Sequence, residues 1–200
     1  MAPCKVCGAK MKIINDAIHG QFKLGGVTQD LLGTPELNKL SHLKQLGLAH
    51  LVFPGAHHTR FEHSLGASHV AGLMAESLDL DAHEKTTVEA AAMLHDVGHG
   101  PYSHTLEHIL LERGGMDHMS VTEGIILGEF DVLVEGEESS VNNREAIPDI
   151  LTRHGLDPNQ IASLIRGPDA SGTERSLLNW TEGRGDFSGS DHTMAHLIHG

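Results

Sequence analysis

The chain has 200 residues, 39% of them hydrophobic and 4% aromatic, with 14 Lys and Arg against 27 Asp and Glu for a formal net charge of −13. That length buries one substantial core, packed mainly by Leu, Ile, Val, Ala and Met. The composition argues against a membrane span, because no apolar run reaches ~18 residues, and against an extended nucleic-acid surface, which needs clustered cations. Two cysteines build no disulfide framework, and no signal-peptide apolar region opens the chain, so a cytoplasmic setting is expected.

Residues 1–10 read as a disordered N-terminal appendage and residues 11–200 as one domain. Cys4-x-x-Cys7 supplies half the ligands of a zinc ribbon and has no second pair to complete it. Lys12–Asp16 and Ile18–Leu24 read as a short extended segment or small hairpin, closed by Gly25-Gly26. Thr34-Pro35 is a helix start, with Pro35 in the first turn where its missing N–H costs nothing. That helix is expected to run to about Leu46 and stop at Gly47, with a strand or loop from His50 to Ala56.

A long helix is predicted from about Thr59 to Leu78, with His63, Ala67, Val70 and Met74 as its inward stripe. Asp81 and Glu84 resemble a capping box for the next helix. Its Val88–Leu94 end is apolar or small all round and deeply buried, with Gly98 as its stop. Further helices are expected at Ser103–Arg113, His118 to about Leu127, Arg144–Arg153, Pro158–Ile165 and Thr193–Ile198, with loops over 131–142 and 167–191. No internal repeat interrupts this predominantly α-helical pattern.

Histidine is the compositional outlier: of 17 copies, 11 fall between His50 and His118. His95 and Asp96 stand together at the end of the most hydrophobic helix, where an isolated charge is costly unless paired or metal-bound. About 100° apart on a helix, they can converge on one ion near its last turn. His63, inward on the neighbouring helix, offers a third ligand. Imidazole and carboxylate together suit Mn²⁺, Fe²⁺, Zn²⁺ or Mg²⁺ without choosing among them. One such divalent ion polarises a phosphoryl oxygen and lowers the pKa of water.

The segments Ile14–Gly20, Thr34-Pro35, Lys44–Gly47, Val52–Ala56, Thr59–Gly66 and Leu94–His104 extend the pattern well beyond a dipeptide. In order and spacing the chain resembles the HD-domain metal-dependent phosphohydrolases, in particular the branch that hydrolyses deoxynucleoside triphosphates to deoxynucleoside and triphosphate. The resemblance implies an all-α HD-domain helical bundle with a short extended N-terminal segment, and His63, His95 and Asp96 as metal ligands. It makes His99 and His118 active-site histidines and Glu107 the acid that orients the catalytic histidine. Gln45 and Leu46 match positions at the substrate sugar, and Arg60 and His104 positions near the phosphates. Arginine also suits phosphate physically, because its planar fork grips it bidentately. A nucleotide substrate and a homo-oligomer are the expected partners.

Two departures stand out. The family's fourth ligand, an aspartate in a later Asp-x-x-Asp-Tyr-like segment, has no match. The expectation is therefore a domain truncated at its C-terminal end, or Asp186 or Asp191 in substitution, or water. Gly33 and Ser41 replace the acidic and basic residues of nucleotide-activated relatives, so guanine-nucleotide activation there is not expected. The alternatives to the triphosphohydrolase are a non-catalytic HD-fold module that binds nucleotide or metal, and an HD hydrolase of nucleoside monophosphates or phosphodiesters. His104-Thr-Leu-Glu107-His108 fits a zinc-protease pattern, but lies inside the longer match.

Overall fold

The computed structural model describes residues 11–102, 106, 109, 111–113, 115–130 and 145–167. It opens with an antiparallel hairpin, β1 (Lys12–Asp16) and β2 (Gly20–Leu24), in register from Lys12 opposite Leu24 to Asp16 opposite Gly20. The Asp16 carboxylate closes the turn by accepting the Ile18 and His19 N–H groups at 2.8 and 2.7 Å. Alternation puts Phe22 and Leu24 on the buried face, and the Phe22 ring stacks on His69 at 4.3 Å.

A five-residue helix, α1 (Val27–Leu31), follows at once and buries Val27 and Leu31. It was not expected, since the glycine pair before it reads as loop and so short a segment shows little periodicity. The next helix is shorter than expected. Instead of running to Leu46, α2 covers only Pro35–Asn38 and tightens into a 3₁₀ turn at Lys39–His42. It starts at Thr34-Pro35 as expected, and Thr34 caps it by accepting the Leu37 N–H. It stops because the following backbone finds partners elsewhere: Arg60 N–H donates to Leu43 O at 2.8 Å and Gln45 N–H to His58 O at 3.1 Å. Another 3₁₀ turn, Gly47–Leu51, stands where a strand or loop was expected to begin.

The centre of the fold is a helical hairpin, α3 (Arg60–Ser77) and α4 (Ala82–Leu94), which share the most extensive helix–helix contact among the described elements. Both begin with full capping boxes, Thr59 with Glu62 and Asp81 with Glu84. Small residues on α3 (Ser68, Ala71, Gly72 and Ala75) let the helices approach closely: Ser68 Oγ donates to Glu89 O at 2.9 Å, and a Cβ on Gly72 would meet the Glu89 side chain. The buried stripe of α3 is therefore Ser64, Leu65, Ser68, Ala71, Gly72 and Ala75. The expected stripe is displaced by one position, and Met74 is 42% exposed. His63 borders the buried face rather than lying within it, which leaves its ring free to face a ligand.

α5 (His118–Leu127), α6 (Ile147–Arg153) and α7 (Pro158–Arg166) complete the described bundle, close to expectation. α7 packs on both α4 and α5. Leu31, Leu37, Leu40, Val88, Met93, Leu94, Ile126, Leu151 and Ile161 are fully buried and join these elements in one core. Arg153 and His154 fasten α6 to α1 through Asp30, at 3.1 and 2.8 Å. No helix among the described residues is long and apolar enough to cross a membrane. Most of Ser103–Arg113, the start of the Arg144–Arg153 segment, and Thr193–Ile198 lie outside the described residues.

Candidate metal centre

Two helix ends create the site. The first turn of α3 holds Arg60 and His63, fixed by the Thr59–Glu62 box. The last turn of α4 runs into His95, its C-cap, and then into the tight turn from Asp96 to His99, whose N–H bonds to Asp96 O at 3.0 Å. The hairpin brings these ends together although the sequence separates them by 32 residues, so that His63 Nε2 lies 3.1 Å from His95 Nε2.

His95 Nδ1 donates to the Ala92 carbonyl at 2.7 Å. That bond fixes the tautomer and leaves Nε2 with its lone pair facing outward. Asp96 Oδ1 lies 3.3 Å from the same Nε2. Ligand atoms of His63, His95 and Asp96 all fall within 4.8 Å of one another. Three electron-pair donors crowded this closely repel unless they share a proton or a cation. The donor set is one that divalent first-row metals and Mg²⁺ accept.

Asp96 is 5% exposed and Arg60 4%, and Asp96 Oδ2 accepts from Arg60 Nη1 at 2.8 Å. On its other oxygen His99 Nε2 lies at 3.3 Å. Burial pushes the Asp96 carboxyl up, but the His99 bond and the charges of His95, His99 and Arg60 more than offset it, holding the group well below the ordinary carboxylate range. It is an anion even when buried, as a ligand must be. Burial pulls the His63 imidazole down, with His95 adding to the effect and Asp96 opposing it. His99 also moves down through burial, against the pull of its bond to Asp96. The His99 ring stacks on His118 at 4.1 Å and 14°, placing the first residue of α5 beside the site.

Of the residues singled out from sequence, Arg60, His63, His95, Asp96, His99 and His118 thus meet in one place. Gln45 ends, and Leu46 follows, the short backbone ladder that joins residues 43–45 to the start of α3. Gln45 Oε1 is buried without a hydrogen-bond partner among the described residues, whereas Leu46 is 52% exposed. His104, Glu107, Asp186 and Asp191 lie outside the described residues. Thr122, which no sequence motif marks, is fully buried and bonded to the His95–His99 turn. Its one sequence signal is a polar residue on the apolar helix that follows His118.

Comparison with known proteins relates the chain to a family. A family model described as HD domain matches residues 60–166, which includes every element carrying the six gathered residues. The chain is 33% identical over 184 residues to the deoxynucleoside triphosphate triphosphohydrolase SAMHD1 of Xenopus laevis, covering 87% of the chain and 28% of that relative. The Homo sapiens protein of the same name is 34% identical over 178 residues, or 84% of the chain and 27% of the relative. An uncharacterized protein, MJ1154 of Methanocaldococcus jannaschii, is 33% identical over 174 residues, 84% of the chain and 36% of the relative. The chain therefore spans about a third or less of the length of these relatives.

Proposed function

The chain belongs to the HD-domain family, and from that membership and the geometry of His63, His95 and Asp96 we propose that it is a metal-dependent phosphohydrolase acting on deoxynucleoside triphosphates. The observation that carries the proposal is the convergence of three ligand atoms within 4.8 Å, one of them made a lone-pair donor by the His95–Ala92 bond. His63, His95 and Asp96 would hold one divalent ion, Mn²⁺, Fe²⁺, Zn²⁺ or Mg²⁺. Bound there, it supplies Lewis acidity toward a phosphoryl oxygen.

In the proposed reaction, water adds at the α-phosphorus, the bond from phosphorus to the 5′ oxygen breaks, and that oxygen takes up a proton, giving deoxynucleoside and triphosphate. The stacked His99 and His118 are the proposed proton-handling pair, with Glu107 orienting one of them. Arg60 and His104 are assigned to the phosphates. Gln45 and Leu46 are assigned to the sugar, and Gln45 Oε1, buried without a hydrogen-bond partner among the described residues, supports this, since a sugar hydroxyl can donate to it. The similarity, at 33–34% identity, to deoxynucleoside triphosphate triphosphohydrolases supports a nucleotide substrate.

Purified protein incubated with each deoxynucleoside triphosphate and Mn²⁺ should release deoxynucleoside and triphosphate in equal amounts, and Asp96→Ala should release neither. No metal-dependent product from any nucleotide would overturn the proposal. Nucleotide binding without turnover would identify a binding module instead.

A further inference from the structure

Thr122 lies in α5, one helical turn beyond His118, and is fully buried. Its Oγ1 is 2.8 Å from the His118 carbonyl, 3.0 Å from the Gly98 N–H and 3.5 Å from the His95 carbonyl. A hydroxyl has one proton, and the shortest contact takes it, so Oγ1 donates to His118 O and a lone pair accepts from Gly98. A helical threonine that only bonds back four residues acts locally. This one has its second partner on another element, in the middle of the turn that carries the metal-ligand doublet.

Steric evidence points the same way. A Cβ placed on Gly98 would collide with the His118 carbonyl oxygen and the Thr122 backbone nitrogen. The turn therefore rests directly on the backbone of α5, and only glycine allows that approach. His95 and Asp96 enter this turn and His99 leaves it, stacked on the residue whose carbonyl Thr122 holds.

We infer that Thr122 is a positioning residue, whose hydroxyl seats the His95–His99 turn on α5 and so sets the directions of the His95 and Asp96 ligands and the His99–His118 stack. The inference rests on the proposed metal site, but the seating itself can be tested without metal.

Two measurements separate the two claims. The first is Mn²⁺ affinity by calorimetry, well below each variant's melting temperature. Thr122→Val should weaken binding about tenfold or more, the range seen when groups supporting metal ligands are removed. Thr122→Ser, which keeps the hydroxyl, should bind within about twofold of wild type on the same reasoning. Thr34→Ala, which removes a helix cap remote in sequence from the turn, should lower the melting temperature and leave affinity unchanged. The second is the ¹⁵N imidazole NMR spectrum of metal-free protein, where Thr122→Val should shift the His95, His99 and His118 ring signals and Thr122→Ser should not. Thr122→Ala serves if the valine variant does not fold. Unshifted ring signals, or an affinity loss in Thr34→Ala equal to that in Thr122→Val, would overturn the inference. Wild-type protein that binds no Mn²⁺ would overturn the metal-site reading, and the ring spectra would still decide the seating.

Discussion

Asp96 faces two ways at once: one oxygen holds the Arg60 guanidinium at 2.8 Å, and the other lies 3.3 Å from ring nitrogens of His95 and His99. Removing a carboxylate from a metal site often relieves charge crowding, but here it strands a buried arginine. Asp96→Ala should therefore abolish Mn²⁺ binding and also destabilise the fold by about 3–5 kcal/mol, the usual consequence of leaving one member of a buried ion pair alone. The double variant Asp96→Ala with Arg60→Met should regain most of that stability without regaining metal, because an apolar replacement of the whole pair is close to neutral. Urea denaturation of the three proteins measures this, and an Asp96→Ala variant as stable as wild type would refute it. The doublet was legible in the sequence because ligand-type residues in an apolar setting need an explanation. The Arg60–Asp96 pair was not, because nothing local records a contact between residues 36 apart. Arg60 was read only as a phosphate contact, and its ion pair emerges once α3 and α4 are folded against each other.

Elements with strong local signals were read correctly. The Asp81–Glu84 capping box was anticipated, as were the start of α3 near Thr59, the hairpin strands and α5 and α7, because caps and periodicity are properties of short windows; the Thr59–Glu62 box was not singled out. The failures lie where tertiary partners outbid propensity: Leu43–Gln45 leaves helical geometry to bond with residues 58–60, and the inward stripe of α3 moves one position to bring small residues against α4. The α3 cap also has a functional side. Thr59 Oγ1 accepts from Glu62 N at 3.2 Å, and Glu62 returns a bond to the Thr59 N–H at 2.6 Å, tying down the turn that bears Arg60 and His63. Thr59→Ala should lower stability by about 1 kcal/mol and weaken Mn²⁺ binding in parallel, whereas Thr59→Ser should preserve both. Thermal melts with a metal titration check the pair of effects. If stability falls and affinity does not, His63 is held by its packing and not by the cap.

For the whole molecule, the histidine count changes what metal binding should look like. An ion that binds only the folded state adds stability, about 2.7 kcal/mol at a free concentration 100 times its dissociation constant. For a chain of 200 residues, each kcal/mol raises the melting temperature by about 2–4 °C, so a rise of about 5–10 °C is expected at that concentration. The unfolded chain is not inert, however, since it exposes 17 histidines and 27 carboxylates, which form weak sites of their own. Any such binding subtracts from the gain. Imidazole prefers Zn²⁺ to Mn²⁺ in the general affinity order, so the subtraction is larger for zinc. Mn²⁺ should therefore raise the melting temperature steadily with concentration, while Zn²⁺ should raise it at first and then lose ground as the unfolded chain fills. In Asp96→Ala the Mn²⁺ rise should vanish and the Zn²⁺ destabilisation at high concentration should remain, because the folded site is gone and the unfolded histidines are not. Differential scanning calorimetry across both titrations separates the two contributions. An Mn²⁺-dependent rise of equal size in wild type and Asp96→Ala would mean that the ion binds somewhere other than the meeting point of α3 and α4.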